Sequence, residues 1–195
     1  MATEPVSIPT LRALYAPANA TLITPFISGT DILEHVHFGV ATSYLIWRAI
    51  RVLQGHGQTI KSLSFVVTNI SAAHDPIALL MSFPNLKAVE LGFSNPKWKS
   101  KFVDYVYDLL ENPALSFPST LEHLAIKFSS MDGLALRDTL EPLVIDHRWA
   151  VTFPKLRYLE LSERNGYGVR YDHVRGQILE EAQLWDDLVQ YQLGL

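Results

Sequence analysis

Two histidines two residues apart, His35 and His37, have the spacing that most directly suggests chemistry. On a β-strand, side chains two apart leave the same face about 7 Å from each other, so both imidazoles could reach one metal ion. A catalytic zinc would need a third protein ligand and an open position. Glu34 alternates to the opposite face, and Glu90 lies two strands away. The pair therefore reads as part of a polar surface, with a metal-dependent hydrolase built on His35 and His37 as the competing reading. His123, with Tyr158 and Glu160 on the next strand, has the makings of a general base, but no nucleophile or metal ligand set accompanies it. Gly55-His56-Gly57 lacks the Lys-Ser/Thr ending of a phosphate loop, and neither G-x-S-x-G nor H-E-x-x-H occurs. No catalytic residue, metal or cofactor is assigned, and a non-catalytic protein is expected.

Composition narrows the field in the same direction. The chain has 195 residues, 48% of them hydrophobic, no cysteine and a net charge of −4. That apolar share argues against intrinsic disorder. The absence of cysteine excludes a disulfide scaffold, a thiol nucleophile and cysteine-ligated metal. A slightly acidic chain gives no reason to expect nucleic acid, and no 18-residue apolar run suggests a membrane span. Met1 to Pro5 lack the basic and apolar regions of a signal peptide, so an intracellular, cytoplasmic or nuclear location is expected. Asn19-Ala20-Thr21 and Asn69-Ile70-Ser71 match a glycosylation sequon and are read as coincidental.

The elements that would position these side chains follow from a repeat. Ser7-Ile8-Pro9, Ser82-Phe83-Pro84, Ser116-Phe117-Pro118 and Thr152-Phe153-Pro154 each precede a leucine that opens the pattern L-x-x-L-x-L. Counting two copies without that preamble, six segments start near 11, 33, 60, 86, 121 and 156. Within each, the second and third apolar positions share one face of a short strand and point to a core. Pro ahead of the strand stops the preceding helix and fixes the turn. Between copies lie helical segments: Ser43 to Leu53, a stretch after Asp75-Pro76, another after Asn95-Pro96, and one capped by Asp132. A last helix is expected over about 172–192, with Val174, Ile178, Ala182, Trp185 and Val189 as its apolar stripe. The four tryptophans fall in helical segments and are expected to pack against the sheet.

Strand, turn and helix repeated six times describe an α/β fold: a single domain over 1–195, wound as a right-handed solenoid with about six parallel strands on the concave side and helices on the convex side. In such a stack each outward strand position becomes a column. One column reads Ala13, His35, Ser62, Ala88, His123, Tyr158; the next reads Tyr15, His37, Ser64, Glu90, Ala125, Glu160; a third reads Pro17, Gly39, Val66, Gly92, Lys127, Ser162. Mixed polar and aromatic groups of this kind suit a peptide or protein surface. The expected contact residues are Tyr15, His35, His37, Ser62, Ser64, Glu90, His123, Lys127, Tyr158 and Glu160. Tyr167 and Arg170, in a mobile loop after the last strand, complete the set. A column of charge, Arg12, Glu34, Lys61, Lys87, Glu122, Arg157, reads as a solvated rim.

The Ser/Thr-Phe-Pro-x-Leu-x-x-Leu-x-Leu signature resembles the leucine-rich-repeat family, and in particular the irregular repeats of fungal F-box proteins. The resemblance spans residues 9 to about 165; residues 1–7 contain no F-box. It implies target recognition by a protein-binding module in a ubiquitin-ligase setting. A truncated solenoid without independent function is the remaining alternative. Met1 to Ser7 are too short for an N-terminal cap, so the edge strand bearing Leu11 and Leu14 is expected to favour self-association or a partner.

Overall fold

The computed structural model describes residues 8–94, 99–128, 142–146, 148–163 and 168–179. Six strands begin two residues after each of the six leading Leu or Ile positions: β1 Ala13–Ala16, β2 His35–Ala41, β3 Ser62–Val67, β4 Ala88–Phe93, β5 His123–Phe128 and β6 Tyr158–Glu163. They lie side by side in chain order and are parallel throughout. Two further strands, β7 Gly168–Asp172 and β8 Gln177–Leu179, continue the sheet antiparallel, giving an eight-stranded, mostly parallel sheet.

The helical returns after β2 and β4 lie where the sequence places them, and a further helix, not among those expected, follows β1. Helix α1, Ala20–Ile27, is capped by the Asn19 side chain, which accepts from the backbone N–H of Thr21 and Leu22. Helix α2, Ser43–Leu53, starts at Thr42 and buries Ile46, Ala49, Ile50 and Leu53. After Asp75-Pro76 the chain forms a 3-10 helix, Ile77–Ser82, with the Asp75 carboxylate accepting from Ile77 N–H at 2.8 Å. Helix α3 covers Lys99–Glu111, and the short α4 covers Arg148–Thr152. The helix expected behind Asp132 lies outside the described residues.

One face of the sheet and the returns share one core. Leu14, Val36, Phe38, Leu63, Phe65, Val89, Leu91, Leu124, Ile126, Leu159 and Leu161 are the alternating strand positions, and all are buried. Against them pack Ile23 and Ile27 of α1, Ile46 and Ile50 of α2, Leu80, and Val106 and Leu110 of α3. The phenylalanines of the preamble, Phe83, Phe117 and Phe153, are each buried to within 1%. Each is worth about 2–3 kcal/mol of burial, which explains why Phe recurs there. Trp149 stacks on Phe153 at 5.6 Å and donates from Nε1 to the Leu143 carbonyl at 2.9 Å. Thr30 and Thr120 make the same bonds one unit back: to the carbonyls of Pro9 and Leu11 in one case, of Pro84 and Leu86 in the other.

The chain departs from expectation after β6. Asp172 ends a strand instead of starting a helix. Its Oδ1 accepts from Val174 and Arg175 N–H at 2.9 and 3.0 Å, and Gly176 takes φ 63°, so the chain reverses into β8. Val169 and Tyr171 follow a strand period here, and the segment read as a mobile loop is β7 from Gly168 onward. Tyr167, Trp98, Trp185 and the rest of the expected last helix beyond residue 179 lie outside the described residues. No helix among the described residues is long and apolar enough to cross a membrane.

Candidate functional site

The face of the sheet opposite the core carries the expected columns. Strand register aligns Ala13, His35, Ser62, Ala88, His123 and Tyr158, and Asp172 of β7 extends that row. The neighbouring row aligns Tyr15, His37, Ser64, Glu90, Ala125 and Glu160, then Arg170. The third row differs from expectation. A register shift between Phe38 and Val40 leaves Gly39 out of the ladder and sets Val40 opposite Val66, and Pro17 lies beyond β1. From Val66 the row runs through Gly92, Lys127 and Ser162 as expected.

Neighbours within a row interact. The Tyr15 and His37 rings lie 5.6 Å apart, and His37 Nδ1 is 3.0 Å from Ser64 Oγ. Tyr15 is 59% exposed and marks the accessible end of the row. Toward β6 the face becomes recessed. Lys127 Nζ meets Glu90 Oε2 at 2.7 Å, and Arg170 Nε stands 4.0 Å from the buried Glu160 Oε2. Arg170 also lies 4.4 Å over the Tyr158 ring, with Arg157 at 4.9 Å, and the His123 ring lies tilted against the same tyrosine at 5.2 Å. Glu90, His123, Tyr158, Glu160 and Arg170 line a shallow recess together with Ala88 and Ala125.

Burial governs the electrostatics of this end. It pushes the Glu160 carboxyl above its usual range, against the pull of Lys127 and Arg170. It pushes the Lys127 ammonium down, opposed by Glu90 and Glu160. His123 is pushed down to about 4, first by burial and then by the surrounding cations, so it is neutral at physiological pH. His35 is lowered by burial as well.

No protein-family model matches the chain, no curated protein matches its sequence, and no solved structure matches its fold. His35 and His37 share a face, but no three His, Asp or Glu side chains converge among the described residues. Glu34 is drawn the other way, into a hydrogen bond with Lys61 and a 3.6 Å pair with Arg12. His123 and Glu160 line one recess, where Glu160 faces Arg170 and the His123 ring lies against Tyr158.

The rim column of alternating charge makes pairs between adjacent strands: Arg12 with Glu34, Glu34 with Lys61, and Lys87 with Glu122 at 2.8 Å. Exposed pairs of this kind add little stability. Two side chains that sequence reading passed over hold the returns. Asn69, dismissed as a sequon, accepts from Ser43 N–H at 3.0 Å and fixes the start of α2. Tyr105 donates to Asp75, 2.9 Å from both carboxylate oxygens. Thirty residues separate that pair, and no local signal announces it. Arg170 facing Glu160 had a signal, since Val169 and Tyr171 alternate around it as strand residues do.

Proposed function

We propose that this chain is a right-handed leucine-rich-repeat solenoid acting as a non-catalytic protein–protein interaction module. Its contact surface is the polar row from Tyr15 through His37, Ser64 and Glu90 to Glu160, on the concave side. One observation carries the reading: six parallel strands in register bring aromatic, imidazole, hydroxyl and carboxylate groups into one row on one face, interrupted only at Ala125. At about 4.8 Å per strand that line extends about 24 Å, the scale of a peptide segment or one edge of a domain. Tyr and Arg are favoured at the energetic centre of interfaces, and both occur along it. The resemblance to fungal F-box repeats adds the setting: selection of a target for ubiquitin ligation.

The test is affinity purification of the tagged chain beside a Tyr15→Ala/His37→Ala/Glu90→Ala variant, with bound proteins identified by mass spectrometry. A defined partner recovered by the parent and lost by the variant is the expected result, and a ligase adaptor among the bound proteins supports the ubiquitin setting. Identical sets of bound proteins from both versions would overturn the assignment of the row.

A further inference from the structure

A second surface, on the opposite side of the molecule, carries a different chemistry. From His35 to His74 the sequence contains no Asp or Glu, while it holds Arg48, Arg51 and Lys61 in a chain of net charge −4. The carboxylates that bracket this stretch are engaged elsewhere. Glu34 is held by Lys61 and Arg12, and Asp75 accepts from Tyr105 and Ile77. Arg48 and Arg51, both exposed on α2, pair with no carboxylate among the described residues.

Each guanidinium is instead laid on an aromatic ring one helical turn before it. Arg48 lies 5.7 Å over Tyr44, and Arg51 lies 4.8 Å over Trp47. His74 braces both rings edge-on, at 4.9 Å from Tyr44 and 5.1 Å from Trp47. Stacking of this kind fixes the plane of a guanidinium and leaves its N–H edge free to grip a carboxylate in two places. Apolar groups flank the pair: Tyr44 is 44% exposed, Leu45 39%, and α1, packed beside α2, exposes Leu22 and Phe26.

We propose that the outer face of α2 docks an acidic segment of a partner protein, with carboxylates on Arg48 and Arg51 and an apolar side chain beside Tyr44 and Leu45. Charge complementarity selects the acid, and the apolar flank selects a protein over a bare polyanion. Two cations on an acidic molecule are too few to hold a nucleic-acid backbone at physiological salt. This surface lies across the core from the polar row and is independent of it.

The test uses the whole chain and a fluorescein-labelled peptide alternating Glu with Phe and Leu, its counterpart with Lys for every Glu, and a short oligothymidylate. The acidic peptide should bind, weaken as salt rises, and lose about tenfold or more on Arg48→Glu/Arg51→Glu. Arg48→Lys/Arg51→Lys, which keeps charge but not the planar fork, should lose about threefold. Tyr15→Ala/His37→Ala/Glu90→Ala should leave this binding unchanged, which separates it from the polar row. Circular dichroism melts confirm that each variant is folded. The proposal is overturned if the lysine peptide binds as well as the acidic one, or if charge reversal has no effect. It is equally overturned if oligothymidylate binds as tightly and with the same dependence on Arg48 and Arg51.

Discussion

His123 is held neutral by the walls around it, and this makes the fold sensitive to mild acid. Its ordinary value is 6.5 and its folded value is about 4, lowered by burial and by Arg170, Arg157 and Lys87 against the opposing pull of Glu122. Because the unfolded chain takes up a proton first, the stability is fully present above about pH 6.5. It is lost as pH falls toward 4, a loss of about 3 kcal/mol from this residue. His35 and His173, also lowered by burial, act in the same direction. Glu160 works the other way, since its carboxyl is raised and the folded chain protonates it first. Urea denaturation at a series of pH values should show stability declining between pH 6.5 and 4, with His123→Gln flattening the decline. An unchanged slope in that variant would mean that other groups set the acid limit.

At the scale of elements, the close approach of β3 and β4 requires a glycine. A Cβ on Gly92 would stand 2.6 Å from Val66 Cγ2 and 3.1 Å from Val66 Cβ. Gly92→Ala should cost about 1–3 kcal/mol, and Val66→Ala in the same chain should recover most of it. Additive losses in the double variant, read from denaturant midpoints, would show that Val66 is not the obstacle. The strands themselves were legible in the sequence because apolar residues two apart fix both the buried face and the register of Leu63 beside Val36 and Val89. The bulge at Gly39 was not, since an extra backbone residue leaves the apolar pattern intact on either side. Helix α1 escaped notice because Pro25 lies inside it. Asn19 caps the first turn, and the proline's missing N–H and ring are tolerated in so short a helix. The end of the sheet was misread for another reason: Val174 and Ile178 fit a helical stripe, while the Asp172 turn and Gly176 impose a hairpin.

Across the molecule, the rows that form the proposed contact surface were readable before the fold was known, because each depends only on counting from a leading leucine. What sequence alone did not reveal is how the face grades from open at Tyr15 to recessed at Glu160. That gradient depends on the hairpin that brings Arg170 alongside β6. Interior strands are paired on both sides, whereas β1 and β8 are each paired on one side among the described residues. Amide hydrogen exchange should therefore be slowest in β3, β4 and β5 and faster toward both edges; uniform protection would contradict a sheet that opens from its ends. Because strand order in space equals strand order in the chain, each strand after β1 pairs with one that precedes it immediately. During synthesis, each strand after β1 meets a template already made, and one edge of the newest strand waits for the next strand to be translated. The topology thus suits vectorial assembly, with the hairpin of β7 and β8 added after the parallel strands.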